Sequence, residues 1–217
     1  MAMQVAILLF DGITALDAVG PYEVLSRIPG VDLCFVAAEP GVKRSDNGLL
    51  ALVADRAIDS VPTPDVLLVP GGRGEVQVRE DERVLDWLRL AHQTTQFTTS
   101  VCTGSLVLAT AGLLDGVPAT THWTGMDELA RLGAVPVHER VVRSQRIITA
   151  AGVSSGIDMA LTLAAEIAGD EVAQAIQLSI EYDPQPPFDA GSIAKAPAHI
   201  VDRQRATSRF SGQAGAT

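Results

Sequence analysis

The stretch QFTTSVCTGSLVLATAGLL, residues 96–114, carries the strongest structural signal in this chain. The residues before Cys102 are rich in Thr, Phe and Val, which is the composition of a buried strand. The residues after it are small and then apolar at a spacing that suits a helix, namely Leu106, Val107, Leu108, Leu113 and Leu114. We therefore predict that Cys102 lies at a turn between a strand and a helix.

A cysteine at such a turn has two interpretations. Unpaired backbone N–H groups and the helix dipole favour an anion there. They can lower the pKa of a thiol from about 8.5 to between roughly 3.5 and 7.5, which makes a thiolate nucleophile at neutral pH. The alternative is a small buried hydrophobic residue, since free cysteine is often buried. Cys34 lies mid-strand between Leu33 and Phe35, and we interpret it as a core residue.

Composition excludes several classes of protein. A chain of 217 residues with 47% hydrophobic and 19% charged residues is typical of one globular domain with a substantial core. The net charge of −10 argues against a surface for nucleic acid or anionic membranes. Two cysteines are too few for a disulfide scaffold, and no leader or membrane-spanning apolar run is evident. No set of His, Cys, Asp or Glu has a recognised metal-ligand spacing. We expect a cytoplasmic protein with no metal, nucleic-acid or membrane partner.

Apolar runs alternate with amphipathic segments up to residue 182. This alternation predicts an α/β fold with a mostly parallel sheet that is covered on both faces, and its sites lie beyond the carboxyl ends of the strands. Besides the Cys102 strand and helix, the predicted strands are 4–10, 32–38, 65–69, 119–121, 140–143 and 146–150. The predicted helices are 14–28, interrupted at Gly20-Pro21, then 81–93, 125–132, 155–168 with Ser154 or Ser155 as N-cap, and 170–180.

The last part of the chain differs in character. Four prolines and little periodicity in YDPQPPFDAGSIAKAPAHI predict an extended surface segment. Residues 203–217 have no apolar face, so we expect a frayed C-terminal tail over residues 201–217. The sequence thus predicts a single domain over residues 1–200.

Four residues are candidate partners for Cys102. Asp17 follows the first strand and is either an acid at a helix start or a proton carrier. Gly71 and Gly72 follow the third strand and form either a tight turn or a pair of backbone donors that face a developing negative charge. His122 ends a short strand, where it is either a hydrogen-bonded structural residue or a group that orients the thiol.

Several motifs together carry a family resemblance. LLVPGG, SVCTGSLVLATAGLL, ATTHW and AAGVSSGIDMALTLAAE resemble the ThiJ/PfpI superfamily, which is related in fold to class I glutamine amidotransferases. LDAVGP, SVCTGS, THW, VHERVVR and EYDPQPPFDAGS resemble more narrowly the isocyanide hydratase branch of that superfamily. Asp17 stands where most members have a glutamate, and Thr103 stands where many have a histidine.

The resemblance implies a flavodoxin-like three-layer sandwich, a homodimer and a cofactor-independent reaction. In that reaction an isocyanide takes up water and becomes an N-substituted formamide. Cys102 would attack the isocyanide carbon to form a thioimidate, and Asp17 would serve as general acid and base.

The resemblance also implies roles for residues around the thiol. Thr103 would hold water or the sulfur through its hydroxyl group and polarise the intermediate through its N–H. Gly71 and Gly72 would form the oxyanion-binding turn, with the Gly72 N–H as a second donor. Val153 matches a residue that lines the site in the hydratases, and we expect its backbone near the thiol.

Three other functions remain open from the sequence. A ligand-sensing domain like that of AraC-type regulators is one, although we expect no helix-turn-helix module in this chain. A redox-responsive stress protein would use oxidation of Cys102. A glyoxalase-like enzyme would use the same cysteine on a dicarbonyl.

Overall fold

A seven-stranded sheet forms the centre of the computed structural model, which describes residues 2–211. Its strand order is β10-β11-β7-β6-β1-β2-β5, and every neighbouring pair is parallel except β10 and β11. Two small two-stranded sheets, β3-β4 and β8-β9, flank it. The strands are β1 (Met3–Leu8), β2 (Val31–Ala37), β3 (Gly41–Arg44), β4 (Ala51–Ala54), β5 (Arg56–Ala57), β6 (Val66–Val69), β7 (Phe97–Val101), β8 (Pro118–Ala119), β9 (Val135–Pro136), β10 (Val141–Ser144) and β11 (Ile147–Ala150).

Helices cover the two faces of the sheet. Helices α1, α6 and α7 pack together, and α2, α3, α4 and α5 form the other group. The helices are α1 (Ala15–Leu25), α2 (Glu75–Glu80), α3 (Glu82–Thr94), α4 (Gly104–Thr110), α5 (Met126–Arg131), α6 (Ser155–Ala168), α7 (Asp170–Ser179) and α8 (Ala198–Ala206), with 3-10 turns at Ile58–Ser60 and Trp123–Gly125. The predicted single-domain, flavodoxin-like α/β architecture is confirmed.

The central strands are apolar because both of their faces are covered. Every residue of β6, Val66–Val69, is completely buried, as are Val5, Ala6 and Ile7 of β1. Burying a side chain the size of Leu67 or Leu68 contributes about 1.5–3 kcal/mol. Such continuous apolar runs distinguish a parallel sheet that is covered on both faces from an antiparallel sheet with one solvent-exposed face.

The topology determines where a site can form. The chain leaves β1 for β2 on one side and later returns to place β6 on the other side of β1. At such a switch point the loops after adjacent strands diverge and leave a crevice at the carboxyl ends. The segments that follow β1, β6, β7 and β11 all emerge at this edge.

Helix α1 differs from the sequence prediction. It is continuous from Ala15 to Leu25 and contains both Gly20 and Pro21, where we expected an interruption. The reason is tertiary packing against α6. A Cβ on Gly20 would lie 3.1 Å from Ile157, and a Cβ on Gly156 would lie 3.2 Å from Pro21. The small and compact residues allow the two helices to approach closely, and that contact outweighs the local preference to break.

Part of the predicted C-terminal tail is helical in the structure. Residues 201–206 belong to α8, which spans the expected domain boundary at residue 200, so the prediction of a frayed tail from residue 201 is wrong there. The described chain continues to residue 211, and the remainder of the predicted tail, 212–217, lies outside the described residues. The β3–β4 hairpin and α2 were not predicted either, because both are short and neither has a strong apolar period.

Candidate active site

Cys102 occupies a strained turn between β7 and α4. Its φ of 56° lies in the left-handed region, which non-glycine residues rarely adopt. Its N–H donates to the carbonyl groups of Ala150 and Ala151 at 3.1 and 2.9 Å, and its carbonyl accepts from the hydroxyl of Thr121 at 2.9 Å. The hydroxyl of Ser105 adds a further bond to that carbonyl at 3.2 Å. These bonds hold the strained backbone in place.

Asp17 lies in the first turn of α1 and is completely buried. Its Oδ2 accepts a hydrogen bond from the Gly71 N–H at 3.0 Å. Its Oδ1 is buried and has no hydrogen-bond partner of good geometry among residues 2–211. Burial raises the pKa of this carboxyl to about 7, against the opposing effects of the Gly71 N–H and the Cys102 thiol. Asp17 is therefore able to gain or lose a proton near neutral pH.

The Cys102 thiol and the Asp17 carboxyl interact directly, and each affects the pKa of the other. Burial raises the pKa of Cys102, and the negative charge of ionised Asp17 raises it further. The lowered thiol pKa, which was one of the two interpretations of this turn, is therefore contradicted. The N–H groups of Val153 and Thr103 donate toward the sulfur and oppose the increase. With one proton on the pair, these effects favour the thiol beside an ionised Asp17, so a thiolate forms when the proton passes from the sulfur to Asp17.

The two glycines after β6 are required by close packing. A Cβ on Gly71 would lie 2.5 Å from the Thr103 nitrogen and 3.0 Å from Oδ2 of Asp17. Gly72 has a φ of 129° and equally little space. Its N–H donates to Oγ1 of Thr103 at 3.1 Å, so it is satisfied within the protein and is not free to face a reacting atom as we expected. The donors near the sulfur are the N–H groups of Thr103 and Val153.

A cleft of about 700 Å³ leads to Cys102. Its lining includes Thr103, Gly72 and Val153, but Asp17 is not part of it. The structure thus brings together the six site residues that the sequence predicted. Cys102, Thr103, Gly72 and Val153 line the cleft, and Gly71 and Asp17 lie directly behind them. Val153 has a φ of 36°, so the backbone on both sides of the sulfur is left-handed.

His122 lines the same cleft. Its Nδ1 lies 2.8 Å from Oγ1 of Thr124 and accepts from the Thr124 N–H at 3.4 Å. This arrangement indicates the tautomer with a proton on Nε2. Burial and the charge of Arg209 lower the pKa of His122, so the ring is neutral at neutral pH.

The outer wall of the cleft was missed by sequence reasoning. It is formed by the part of residues 204–210 that faces Cys102, which we call the C-terminal wall; the lining residues are Gln204, Thr207, Ser208, Arg209 and Phe210. Trp123 also lines the cleft, and its ring lies 5.9 Å from the guanidinium group of Arg205. The available signal was the combination of arginines and one phenylalanine in RQRATSRF, in an otherwise acidic chain. That signal has no helical or strand period, so pattern analysis does not detect it.

Neither a metal site nor a membrane-spanning helix is found within residues 2–211. No three His, Cys, Asp or Glu side chains lie close enough together to hold a metal ion. No helix in this part of the chain is both long and apolar enough to cross a membrane.

Comparison with known proteins reveals similarity over most of the chain. A sequence model of the DJ-1/PfpI family matches residues 3–166. The isonitrile hydratase of Pseudomonas putida is 46% identical over 205 residues, which cover 94% of this chain and 90% of that protein. A ThiJ/PfpI family protein from Pseudomonas syringae, known from its crystal structure, has a TM-score of 0.91 at 39% identity and covers 94% of this chain and 85% of that one. The HTH-type transcriptional regulator CdhR of Pseudomonas aeruginosa is 29% identical over 176 residues, which cover 76% of this chain and 49% of the regulator.

Proposed function

The chain belongs to the DJ-1/PfpI family, and from that premise we propose that it is a cofactor-independent isocyanide hydratase. The product is the N-substituted formamide of the isocyanide. The observation that carries the proposal is the buried Asp17 carboxyl behind the Cys102 turn. Gly71 joins the two, because its N–H lies 3.0 Å from Oδ2 of Asp17 and its Cβ position lies 2.5 Å from the Thr103 nitrogen, and the carboxyl and the thiol affect each other's pKa. This arrangement occurs in a chain that is 46% identical to an isonitrile hydratase over 94% of its length.

The first half of the proposed reaction forms a covalent thioimidate. The thiolate of Cys102 attacks the terminal carbon of R–N≡C, and a C–S bond forms. The proton of Asp17 moves to that carbon, which gives R–N=CH–S–Cys102 and an ionised Asp17. The N–H groups of Thr103 and Val153 support this step because they stabilise the sulfur before it attacks.

The second half adds water and releases the enzyme. Ionised Asp17 takes a proton from water as the oxygen adds to the carbon, and it passes this proton to the substrate nitrogen. The tetrahedral adduct R–NH–CH(OH)–S–Cys102 then collapses. Its hydroxyl proton returns to Asp17, a C=O bond forms, and the C–S electron pair leaves with the sulfur. The sum of the steps is one isocyanide and one water converted to one formamide.

The raised pKa of Asp17 suits this cycle. A carboxyl of ordinary pKa would be almost fully ionised at neutral pH and would have no proton to give. With a pKa of about 7, Asp17 is present in both forms near neutral pH. Its Oδ1, which lacks a well-placed partner within residues 2–211, is the atom that we assign to proton transfer.

The test is turnover by the purified chain. We expect conversion of para-nitrophenyl isocyanide to its formamide, followed by chromatography and mass spectrometry, without added metal or cofactor. Methylglyoxal is the parallel substrate, since turnover of the dicarbonyl alone would favour a glyoxalase-like enzyme instead. Binding to DNA at moderate salt, without turnover of either substrate, would favour a regulatory role.

Two further parts of the proposal concern the state of the protein. We propose that it acts as a homodimer, which size-exclusion chromatography with light scattering tests. We also propose a cytoplasmic location, because the mechanism needs the reduced Cys102 thiol and a reducing compartment maintains it.

A further inference from the structure

The C-terminal wall is attached to the domain by an ion pair between a partly exposed guanidinium group and a buried carboxylate. Glu75, the first residue of α2, is completely buried, and its Oε1 lies 2.6 Å from Nη2 of Arg209. The only other cation that the described residues place beside it is Arg79, at 3.7 Å from Oε2. Arg209 also donates to the carbonyl of Arg73 at 3.2 Å, and Arg73 lines the cleft.

The ion pair fixes the C-terminal wall against α2, because Glu75 is the first residue of that helix. A buried carboxylate without a close partner is costly, and without Arg209 the nearest cation to Glu75 would be Arg79 at 3.7 Å. Burial raises the pKa of Glu75, whereas Arg209 and Arg79 oppose the increase. Because Arg79 is shared with Glu128 at 2.7 Å, Arg209 is the nearer and stronger partner of Glu75. Arg209 therefore holds segment 204–210 over the cleft.

The wall presents an apolar surface beside the thiol. Phe210 is half-buried and packs against the core of the domain, while it also lines the cleft. Its ring lies 3.6 Å from the position that a Cβ on Gly125 would occupy, next to the turn that carries Trp123. Arg209 lies over the Phe210 ring at 4.7 Å, and Arg205 lies 5.9 Å from the ring of Trp123. The two aromatic rings are thus each held by a guanidinium group.

We propose that the C-terminal wall determines which substituents reach Cys102, with Phe210 as the specificity-determining residue and Arg209 as the residue that positions it. The proposal rests on the proposed hydratase function, because the substituent is the R group of the isocyanide. With the terminal carbon at the sulfur, R extends along the cleft toward Phe210 and Trp123. An apolar alkyl or aryl group gains contact with these rings, and a bulky group meets the wall.

The first experiment measures access to the thiol without any isocyanide. In a Cys34→Ala background Cys102 is the only thiol, since the chain has two cysteines. Alkylation of Cys102 by iodoacetamide and by N-phenylmaleimide is followed by mass spectrometry for the parent, Phe210→Ala and Arg209→Ala. Arg203→Ala is the matched control, because Arg203 lies on α8, does not line the cleft and has no ion-pair partner among residues 2–211. Circular dichroism checks the fold of each variant.

We expect Phe210→Ala and Arg209→Ala to raise the rate ratio of the bulky to the small reagent by about tenfold, the scale on which shape selection in a pocket operates. Arg203→Ala should leave the ratio unchanged. A ratio in folded Phe210→Ala equal to that of the parent overturns the proposal, and this holds even if Arg209→Ala fails to fold.

The second experiment separates this proposal from the proposed function. Methyl and cyclohexyl isocyanides are compared as substrates, and we expect Phe210→Ala to change KM for the cyclohexyl compound more than kcat. If the alkylation ratio shifts but no variant produces formamide, the proposed hydratase function is rejected, and the proposal that the C-terminal wall limits access to the thiol is supported. Formamide production with unchanged selectivity in Phe210→Ala would keep the hydratase and reject the wall.

Discussion

The carboxyl of Asp17 is completely buried against the thiol of Cys102, which is itself only 5% exposed. Two acids in contact in the same dry environment do not both ionise readily, because each negative charge raises the pKa of the other group. The pair therefore passes through three states as pH rises: two protons, one proton and none. In the state with one proton, the raised pKa of Cys102 keeps that proton mainly on the sulfur, and its transfer to Asp17 gives the acid and the thiolate that the proposed reaction requires.

The pH dependence of turnover follows from these states. Below the pKa of Asp17, about 7, the pair holds two protons and the sulfur is a thiol. Above that value it holds one, since burial and Asp17 raise the pKa of Cys102. We expect kcat/KM for an isocyanide to rise with pH through about 7 and then to reach a plateau. Stopped-time assays across this range measure it, and a decrease through pH 7 would contradict the assignment.

Replacing the acid should remove most of the activity. Asp17→Asn keeps the shape and can still accept from the Gly71 N–H, but it cannot carry a proton between water and substrate. We expect kcat to fall by about 10²–10⁴-fold, the usual contribution of a general acid or base. The remaining activity should lose its rise near pH 7. A variant as active as the parent would remove Asp17 from the mechanism.

Asp17 also links pH to stability. Its pKa is raised on folding from about 3.8 to about 7, so between these values the folded state binds more protons than the unfolded state. Stability is then greatest below about pH 4 as far as this group is concerned, and it is lost as pH rises through about 7. The loss approaches about 4 kcal/mol, because each tenfold change in proton affinity corresponds to about 1.4 kcal/mol. Urea unfolding at several pH values should show a smaller decrease for Asp17→Asn than for the parent.

The two cysteines should respond differently to substitution. Cys102→Ala removes the nucleophile and should abolish formamide production. Cys34→Ala removes a sulfur that is buried in β2 away from the cleft, so turnover should change by less than about twofold, with a stability cost of about 1 kcal/mol for the lost contacts. Equal activity in Cys102→Ala and the parent would contradict the covalent mechanism.

Gly71 offers a test of the packing behind the thiol. An added Cβ would press on the Thr103 backbone and on Oδ2 of Asp17. We therefore expect Gly71→Ala to lower both kcat and the free energy of unfolding, the latter by about 1–3 kcal/mol as for other overpacked sites. Gly191→Ala is the control, because that glycine has no atom within 4 Å of its added Cβ and no positive φ. Thermal unfolding and turnover are measured together, and parent-like values for Gly71→Ala would show that this packing is looser than the structure indicates.

Much of the fold follows from local pattern. The periodicity of residues 155–168 predicted a helix that the structure gives the same bounds, Ser155–Ala168. The apolar runs in β1 and β6 predicted parallel strands, since side chains on both faces of such a strand are buried. The position of Cys102 between β7 and α4 was likewise predicted from composition alone. These features depend on residues close together in sequence.

Other features depend on residues that are far apart in the chain. The continuity of α1 through Pro21 comes from contact with α6, and the order of segment 204–210 comes from Glu75, more than a hundred residues upstream. The same is true of the thiol. A helix N-terminus predicts a lowered pKa, but burial together with Asp17 raises it. A sequence pattern gives neither the solvent exposure of the thiol nor its charged neighbours, so it does not predict the direction of the pKa shift.

The sequence by itself thus determined the α/β class and the turn that carries Cys102, because both depend on local composition and hydrophobic period, whereas Asp17 was named as its partner only through the family resemblance. Only the tertiary structure decided the protonation of that pair, the use of the Gly72 N–H by Thr103, and the wall that Arg209 holds over the cleft. Electrostatic energies and close packing depend on distance in space and on exclusion of water. Neither quantity exists until the chain has folded.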